Sequence, residues 1–237
     1  MGETSKVLNL GDTLYFSCDP ELDCFTQCCQ NVNILLTPYE IVQLKNRLGL
    51  SSTKFLEVYT KTLIAPETAL PAVQLKMDEQ NSKRCHFVSE RGCGVYEERP
   101  WSCRMYPLDS IDEGGDYRVI VDSSRCLGLS AEKVWQLQDW FEDQGLEAYN
   151  NWNLRFAELT ESQDLASWRK EHPGGFEIFY LACYDLDRFR DLVFKQDLHK
   201  MVGQHHFDLE RLRTDDLFLL DFAFAWLKSV AEGKVER

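Results

Sequence analysis

The sequence lacks the features that mark fibrous, disordered and membrane-spanning chains. It has 13 glycines and 7 prolines in 237 residues, which excludes collagen-like and low-complexity chains. With 44% hydrophobic residues it has enough apolar surface to form a core. Its longest apolar stretch, residues 217–227, is interrupted by Asp221 and is too short to span a bilayer.

Basic residues are also scarce. Lysine and arginine number 26 against 39 aspartates and glutamates, which gives a net charge of −13. Such a chain is a poor ligand for nucleic acid or for an anionic membrane surface. The first residues show neither a basic and apolar secretory signal nor a myristoylation pattern. We therefore expect a cytoplasmic protein with no nucleic-acid or membrane partner.

What the sequence does have is cysteine. Eight of its nine cysteines lie between Cys18 and Cys126, and Cys183 stands alone in an aromatic stretch typical of a hydrophobic core. Because the cytoplasm keeps thiols reduced, a cluster of this kind indicates metal binding or catalysis before disulfides.

The distribution of residue types predicts two lobes. The cysteines concentrate in the first half, whereas five of the six tryptophans follow residue 130. No long Gly, Ser or Pro linker separates the halves. We predict a mainly α protein with short β-strands (α+β), in which a cysteine-cluster metal-binding lobe (1–128) packs on a helical C-terminal lobe (129–237).

Local signals place several elements. Thr37, Pro38 and Glu40 form a capping box with proline at the first helical position, and Gly49 is a natural helix stop. A second helix is predicted with Phe55, Val58, Tyr59, Thr62 and Leu63 on one face, and strands at 71–77 and 117–121. Later helices are predicted to begin at Ser130, at Asp185 and at Thr214 to Asp216, with the last of them central in its lobe.

The eight clustered cysteines fall into two groups. The first has the spacing Cys-x5-Cys-x3-Cys-Cys and the second has Cys-x7-Cys-x9-Cys, followed by a further cysteine after 22 intervening residues. Four thiolates suit Zn²⁺ or an iron–sulfur cluster. The candidate metal ligands are Cys18, Cys24, Cys28, Cys29, Cys85, Cys93, Cys103 and Cys126.

The surroundings of these cysteines favour ligation. Neighbouring Cys28 and Cys29 do not readily form a disulfide with each other, so their sulfurs are better placed to bind two metals or two corners of one cluster. Gly92 and Gly94 flank Cys93 and would let backbone N–H groups approach its sulfur. Cationic Arg84, Arg99 and Arg104 would offset thiolate charge, and we place Arg99 and Arg104 in the shell around the ligands.

The stretch from residue 16 to residue 107 resembles the YkgJ-type cysteine cluster domain, also described as a CxxCxxCC zinc- or iron-chelating domain. The similarity covers residues 16–18, 24–29 and 34–41, then 85–88, 92–96, 98–100 and 103–107. The first group departs from the family spacing Cys-x2-Cys-x2-Cys-Cys. The match is best at Cys28, Cys29, Cys85, Cys93 and Cys103, and Cys126 follows as a later ligand.

The resemblance implies binding of iron–sulfur or zinc, and a distant relation to flagellin lysine N-methylases, which use S-adenosylmethionine. The wide spacers of the second group lack the close knuckles of zinc fingers, so we favour one or two [4Fe–4S] clusters with zinc as the alternative. The number of sites, the division of ligands and the use of S-adenosylmethionine stay open. The sequence has no Cys-x3-Cys-x2-Cys of radical enzymes and no Gly-x-Gly nucleotide loop.

Two functions fit these features. The first is an iron–sulfur redox or group-transfer (protein-modifying) enzyme, or a maturation factor, acting on a protein substrate. The second is a zinc-stabilised, non-enzymatic protein-binding module. No catalytic residue is identified: the acidic residues Asp109, Asp112, Glu113 and Asp116 are interpreted as a solvated loop. His86, next to Cys85, could replace a thiolate but is interpreted as a solvated or hydrogen-bonded histidine, and His199, His205 and His206 are interpreted as surface residues.

Overall fold

A computed structural model describes residues 7–111, 115–202 and 207–234 of the chain. Within these ranges, no helix combines the length and the apolar character needed to cross a bilayer.

The described residues form helices and short strands, as the α+β prediction requires. The helices are α1 (Pro38–Leu48), α2 (Ser52–Tyr59), α3 (Trp101–Met105), α4 (Leu137–Asp143), α5 (Leu146–Thr160), α6 (Gln163–Glu171), α7 (Gly175–Cys183), α8 (Leu186–Lys195), α9 (Leu209–Thr214) and α10 (Asp216–Ala231). The strands are β1 (Val7–Leu8), β2 (Thr13–Tyr15), β3 (Leu35–Leu36), β4 (Thr60–Ile64), β5 (Pro71–Leu75), β6 (Met77–Asp78), β7 (Arg84–Cys85), β8 (Val88–Ser89), β9 (Gly92–Cys93), β10 (Leu108–Ser110), β11 (Tyr117–Val119) and β12 (Val134–Gln136).

The contacts divide the chain into two compact units, each made of two segments. Unit 1 comprises Met1–Ile34 and Met77–Asn150, and unit 2 comprises Leu35–Lys76 and Asn151–Arg237. These boundaries differ from the sequential lobes 1–128 and 129–237, because the segment from β3 to β5 groups with the later helices. The sequential lobes, taken as domains, stay a prediction.

Unit 1 is built from small antiparallel sheets and two short helices. Its sheets have the strand orders β1-β11-β10, β12-β2, β6-β7 and β8-β9. Side chains from β1, β2, β10, β11 and β12 and from α3 and α4 form a hydrophobic core in which Trp140 packs edge-on against Phe16 and Phe141. This core anchors the ends of the segments that bear the cysteines.

Unit 2 is mostly helical around one antiparallel sheet of order β3-β5-β4. Its core is aromatic, with Phe55, Phe179, Phe189 and Phe222 fully buried. Most residues of helix α10 between Leu219 and Leu227 are buried, as predicted for a helix central in its lobe. The N-cap of α10 is Asp215, whose carboxylate accepts a hydrogen bond from the Phe218 N–H at 3.0 Å.

The first helix follows its local signals. Helix α1 begins at Pro38, the Glu40 carboxylate accepts a hydrogen bond from the Thr37 N–H at 2.6 Å, and Gly49 ends the helix at a φ of 64°. The strands predicted at 71–77 and 117–121 correspond to β5 with β6 and to β11.

Two predicted helices have other bounds. The second helix ends at Tyr59, since residues 60–64 pair with β5 as strand β4 and place Thr62 opposite Val73. The helix predicted from Ser130 begins at Leu137, because residues 134–136 pair with β2. The carboxylate of Asp185 precedes α8 as predicted but accepts hydrogen bonds from the Ser52 and Thr53 hydroxyls and caps no N–H of α8.

Candidate metal centre

The first and last clustered cysteines come together through one backbone contact. The Ser17 N–H donates to the Gly128 carbonyl at 3.1 Å, which places Cys18 beside the turn that holds Cys126. A Cβ at Gly128 would lie 2.4 Å from the Ser17 carbonyl oxygen, so only glycine permits this approach. The Cys126 residue itself is buried, whereas Cys18 is exposed.

The next three cysteines lie in one tight segment. The Gln27 N–H donates to the Cys24 carbonyl at 3.0 Å, and residues Gln27–Cys29 form a single 3₁₀ turn. The turn brings the sulfurs of Cys28 and Cys29 within 4.0 Å of each other, at hydrogen-bond distance.

The contact between the two sulfurs shifts the pKa values of Cys28 and Cys29 in opposite directions. The hydrogen bond from Cys29 lowers the pKa of Cys28 to about 7, against the opposing effect of burial. The same hydrogen bond, together with burial, raises the pKa of Cys29. One thiolate of the pair is therefore stabilised near neutral pH by the thiol beside it.

Two short hairpins position Cys85 and Cys93. Strand β7, which ends at Cys85, pairs with β6, and strand β9, which ends at Cys93, pairs with β8. The Gly94 N–H donates to the Phe87 carbonyl at 2.8 Å, and the backbone N–H that reaches the Cys93 sulfur comes from the next residue, Val95. Gly92 has a φ of 103°, and a Cβ there would lie 3.2 Å from the Phe25 ring, which explains why glycine occupies this position.

Helix α3 presents Cys103 beside Arg99. The Arg99 guanidinium stacks 3.8 Å over the Tyr96 ring and donates to Gln144 at 2.7 Å. Its positive charge acts on both Cys93 and Cys103. The predicted place of Arg99 in the shell around metal ligands stays a prediction.

Arg104 has a different environment. Its guanidinium is buried and donates to the backbone carbonyls of Glu97, Arg99 and Gln144, and to the Tyr149 hydroxyl. These bonds hold the segment that precedes α3. Its predicted charge-balancing role stays a prediction, and its contacts indicate a positioning role for the loop.

The sulfurs act on one another electrostatically. Although the Cys18 residue is exposed overall, partial desolvation of its sulfur raises the pKa to about 11, and repulsion from Cys28, Cys24 and Cys126 adds to the rise. The pKa of Cys29 is raised further by Cys103 and Cys85. Within the described ranges, however, no three His, Cys, Asp or Glu side chains already stand where one metal ion could bind them together. The cysteine sulfurs therefore lie near one another but do not form a complete coordination sphere for a metal ion.

Backbone N–H groups stabilise three of the thiolates in the same way. Burial raises the pKa of Cys85, Cys93 and Cys126, and in each case the N–H two residues later forms a hydrogen bond that lowers it; the donors are Phe87, Val95 and Gly128. Such N–H to sulfur bonds favour the ionised, ligand-ready form.

Sequence reasoning missed Tyr106. Its hydroxyl forms a hydrogen bond with Cys126, which lowers the pKa of that thiol and raises the pKa of the phenol. Burial is the larger cause of the raised phenol pKa, and Cys28 and Cys24 add to it. The signal was present, because Tyr106 lies three residues after Cys103 within the stretch that resembles the family.

The remaining candidates lie elsewhere. Cys183 is fully buried in unit 2, as predicted for a core side chain. His86 is exposed, which agrees with its interpretation as a solvated or hydrogen-bonded histidine. The side chain of His199 is only 13% exposed and packs against Phe194, so its predicted surface position is wrong. Predictions for Asp112, Glu113, His205 and His206 fall outside the described residues.

The candidate ligands are all cysteine sulfurs, which suit a metal ion or cluster that prefers thiolate ligands. All nine cysteines lie in the described ranges and outside disulfides, and the eight clustered ones belong to one unit. Soft thiolates select zinc, copper(I) and iron–sulfur clusters. The site is therefore that of a thiolate-based metal-chelating domain.

Comparison with known families agrees with this class. The CxxCxxCC family, described as a putative zinc- or iron-chelating domain, matches residues 17–127, which include all eight clustered cysteines. This match confirms the predicted resemblance to the YkgJ-type family over residues 17–127 and supports metal binding through them. No curated protein and no solved structure matches the chain.

Proposed function

We propose that this protein binds iron–sulfur clusters of the [4Fe–4S] type through its eight clustered cysteines. The proposal is carried by one observation: eight cysteines outside disulfides, drawn from segments more than 100 residues apart, lie in one unit and within one another's electrostatic field. Uncompensated thiolates repel one another, so an arrangement of this kind is stabilised when cations bind between them.

The spacing and surroundings favour iron–sulfur over zinc. The cysteines of the second group are separated by seven and nine residues, whereas zinc knuckles use spacers of about two to four. Hydrogen bonds to the sulfurs and nearby charge tune the reduction potential of a cluster. Both are supplied here, by the N–H groups of Phe87, Val95 and Gly128 and by Arg99.

We further propose that the cluster serves a redox or group-transfer (protein-modifying) reaction, or a maturation step, on a protein substrate in the cytoplasm. When bound, it would supply electron transfer. The cysteines would hold the cluster, and the backbone N–H groups and Arg99 would orient it and offset its negative charge. Nine cysteines outside disulfides are consistent with a reducing compartment.

Anaerobic purification, with iron, sulfide and zinc measured per chain, tests the proposal. We expect iron and acid-labile sulfide in near-equal amounts and a visible absorbance that dithionite bleaches. A colourless protein with stoichiometric zinc would instead support the zinc-stabilised protein-binding module. Cys103→Ala should lower the metal content, and Cys183→Ala, the buried cysteine of unit 2, is the matched control that should retain it.

A further inference from the structure

The turn that holds Cys28 and Cys29 lies between two groups of neighbouring cysteines. Their sulfurs are 4.0 Å apart, yet the segments that reach them come from different parts of unit 1. The segment before Cys28 leads to one group of sulfurs, and the segment after Cys29 leads to another.

The first neighbourhood forms around Cys28. Cys24 lies one turn earlier, closed by the Gln27 N–H to Cys24 carbonyl bond at 3.0 Å. Cys126 lies near Cys24, and the Ser17 to Gly128 bond at 3.1 Å brings Cys18 to the same place. Tyr106 contacts this group through its bond to Cys126. The first set is Cys18, Cys24, Cys28 and Cys126.

The second neighbourhood forms around Cys29. Gln30, the next residue, forms a β-bridge with Arg84, the residue before Cys85, and the Asn31 N–H donates to the Lys83 carbonyl at 2.8 Å. The hairpin bond from Gly94 to Phe87 at 2.8 Å then brings Cys93 beside Cys85. Arg99 links Cys93 to Cys103 through its charge. The second set is Cys29, Cys85, Cys93 and Cys103.

The electrostatic interactions follow the same division. Of the cysteines that act on Cys18, all belong to the first set, and those that act on Cys29, apart from its neighbour Cys28, belong to the second. Cys93 also senses Cys28, which lies beside Cys29 at the junction. Four sulfurs on each side match the four ligands of a structural zinc ion or of a [4Fe–4S] cluster.

We infer that the protein has two separate four-sulfur metal centres, one in each set, joined through the Cys28–Cys29 peptide bond. This inference rests on the proposed function for the identity of the metal. Because the two ligands at the junction are consecutive residues, the two centres lie next to each other. Loss of a ligand from one set should empty one centre and leave the other filled.

Paired substitutions test this division by metal content. Cys24→Ala with Cys126→Ala removes two ligands from the first set, and Cys85→Ala with Cys93→Ala removes two from the second. Each double variant should retain about half of the wild-type metal, and the quadruple variant should retain none. If either double variant loses all of its metal while the wild-type protein is loaded, the division of the cysteines into two independent sets is wrong. The proposal that the wild-type protein binds metal would still stand.

A second measurement avoids substitution altogether. The wild-type protein, stripped of metal and kept reduced, is titrated with Zn²⁺ below saturation, and alkylation with mass spectrometry records which cysteines are protected. We expect two groups of four, with each group protected as a unit. Protection of all eight together, or of a group mixing Cys18 with Cys85, would overturn the inference. A wild-type protein that is purified without metal and takes up no Zn²⁺ would overturn the proposed function and this inference with it.

Discussion

At the scale of single residues, the junction cysteines differ although they are neighbours. Hydrogen bonding from Cys29 lowers the pKa of Cys28 to about 7, so a large fraction of that thiol is ionised at physiological pH, whereas the pKa of Cys29 is raised. Because the thiolate is the nucleophile and the metal ligand, Cys28 is the sulfur best prepared to receive an incoming ion. This preparation depends on the thiol next to it.

Removal of that neighbour should slow the reaction of Cys28. In Cys29→Ala the pKa of Cys28 rises, since its largest lowering influence is lost. At pH 7 the thiolate fraction falls, and the higher nucleophilicity of a more basic thiolate offsets part of the loss, so we expect alkylation about fivefold slower. Iodoacetamide labelling of metal-free protein, followed by mass spectrometry, measures the rate.

The matched control for this prediction is Cys183→Ala, which removes a thiol buried in unit 2. Alkylation of Cys28 should proceed at the wild-type rate in that variant. Unchanged reactivity of Cys28 in Cys29→Ala would show that the hydrogen bond between the two sulfurs does not set its pKa.

At the scale of secondary-structure elements, a buried ionic network joins three helices of unit 2. The Lys45 ammonium of α1 lies 2.8 Å from the Asp216 carboxylate of α10, and Arg190 of α8 also bonds to that carboxylate. Burial raises the pKa of Asp216, but the hydrogen bonds from Lys45 and Arg190 outweigh it, so the pKa lies below its ordinary value of 3.8. The ionised form therefore contributes to stability.

The sign of this contribution predicts a pH dependence. A carboxyl group whose pKa is depressed by folding stabilises the protein above the unfolded pKa, and that stability is lost as pH falls through the folded pKa. Asp216→Asn should lower the free energy of unfolding by about 3 kcal/mol at pH 7. The difference from wild type should shrink below about pH 4. Chemical denaturation across this pH range measures both effects.

A second aspartate on the same helix supplies the comparison. Asp221 pairs with Arg155, and both side chains are more than 40% exposed. Solvent screens such a pair, so Asp221→Asn should cost less than about 1 kcal/mol at any pH. Equal losses in the two variants would contradict the role given to the buried network.

The elements also show which parts of the fold sequence reasoning can reach. Helix α1 was predictable because its signals, Thr37, Pro38, Glu40 and Gly49, lie within the helix and its caps. The end of α2 and the start of α4 were not, because pairing of β4 with β5 and of β12 with β2 overrides helical periodicity at those places. Strand pairing between residues 13–15 and 134–136 is invisible to a local pattern.

The candidate site divides in the same way. Its eight cysteines could be identified from residue type, number and spacing, since those are properties of the sequence. Their grouping depends on contacts such as Ser17 with Gly128 and Gln30 with Arg84, which only the fold creates. Tyr106 lies in the stretch that resembles the family, but its bond to the sulfur of Cys126 depends on the fold and not on the spacing.

At the scale of the whole molecule, the negative charge is concentrated in one unit. The segments of unit 1 contain 9 lysines and arginines against 20 aspartates and glutamates, a net charge of −11, whereas those of unit 2 contain 17 against 19, a net charge of −2. Ionised cysteines would add to the excess in unit 1. Bound cations would reduce this repulsion, so metal loading and the stability of unit 1 should be coupled.

Removal of metal should consequently loosen unit 1 and spare unit 2. The cysteine segments of unit 1 are held by strands of only two residues, such as β7 and β9, whereas α10 of unit 2 is deeply buried. We expect hydrogen exchange in 16–34 and 84–128 to accelerate at least about tenfold in the chelated, reduced protein, given that thiolate metal sites can contribute on the order of 10 kcal/mol. Amides of α10 should exchange as slowly in the metal-free protein as in the metal-loaded protein. Adding the original metal back should restore protection of the cysteine segments, whereas adding Mg²⁺ should not. Equal acceleration in both units, or none in either, would mean that the metal does not organise the cysteine segments.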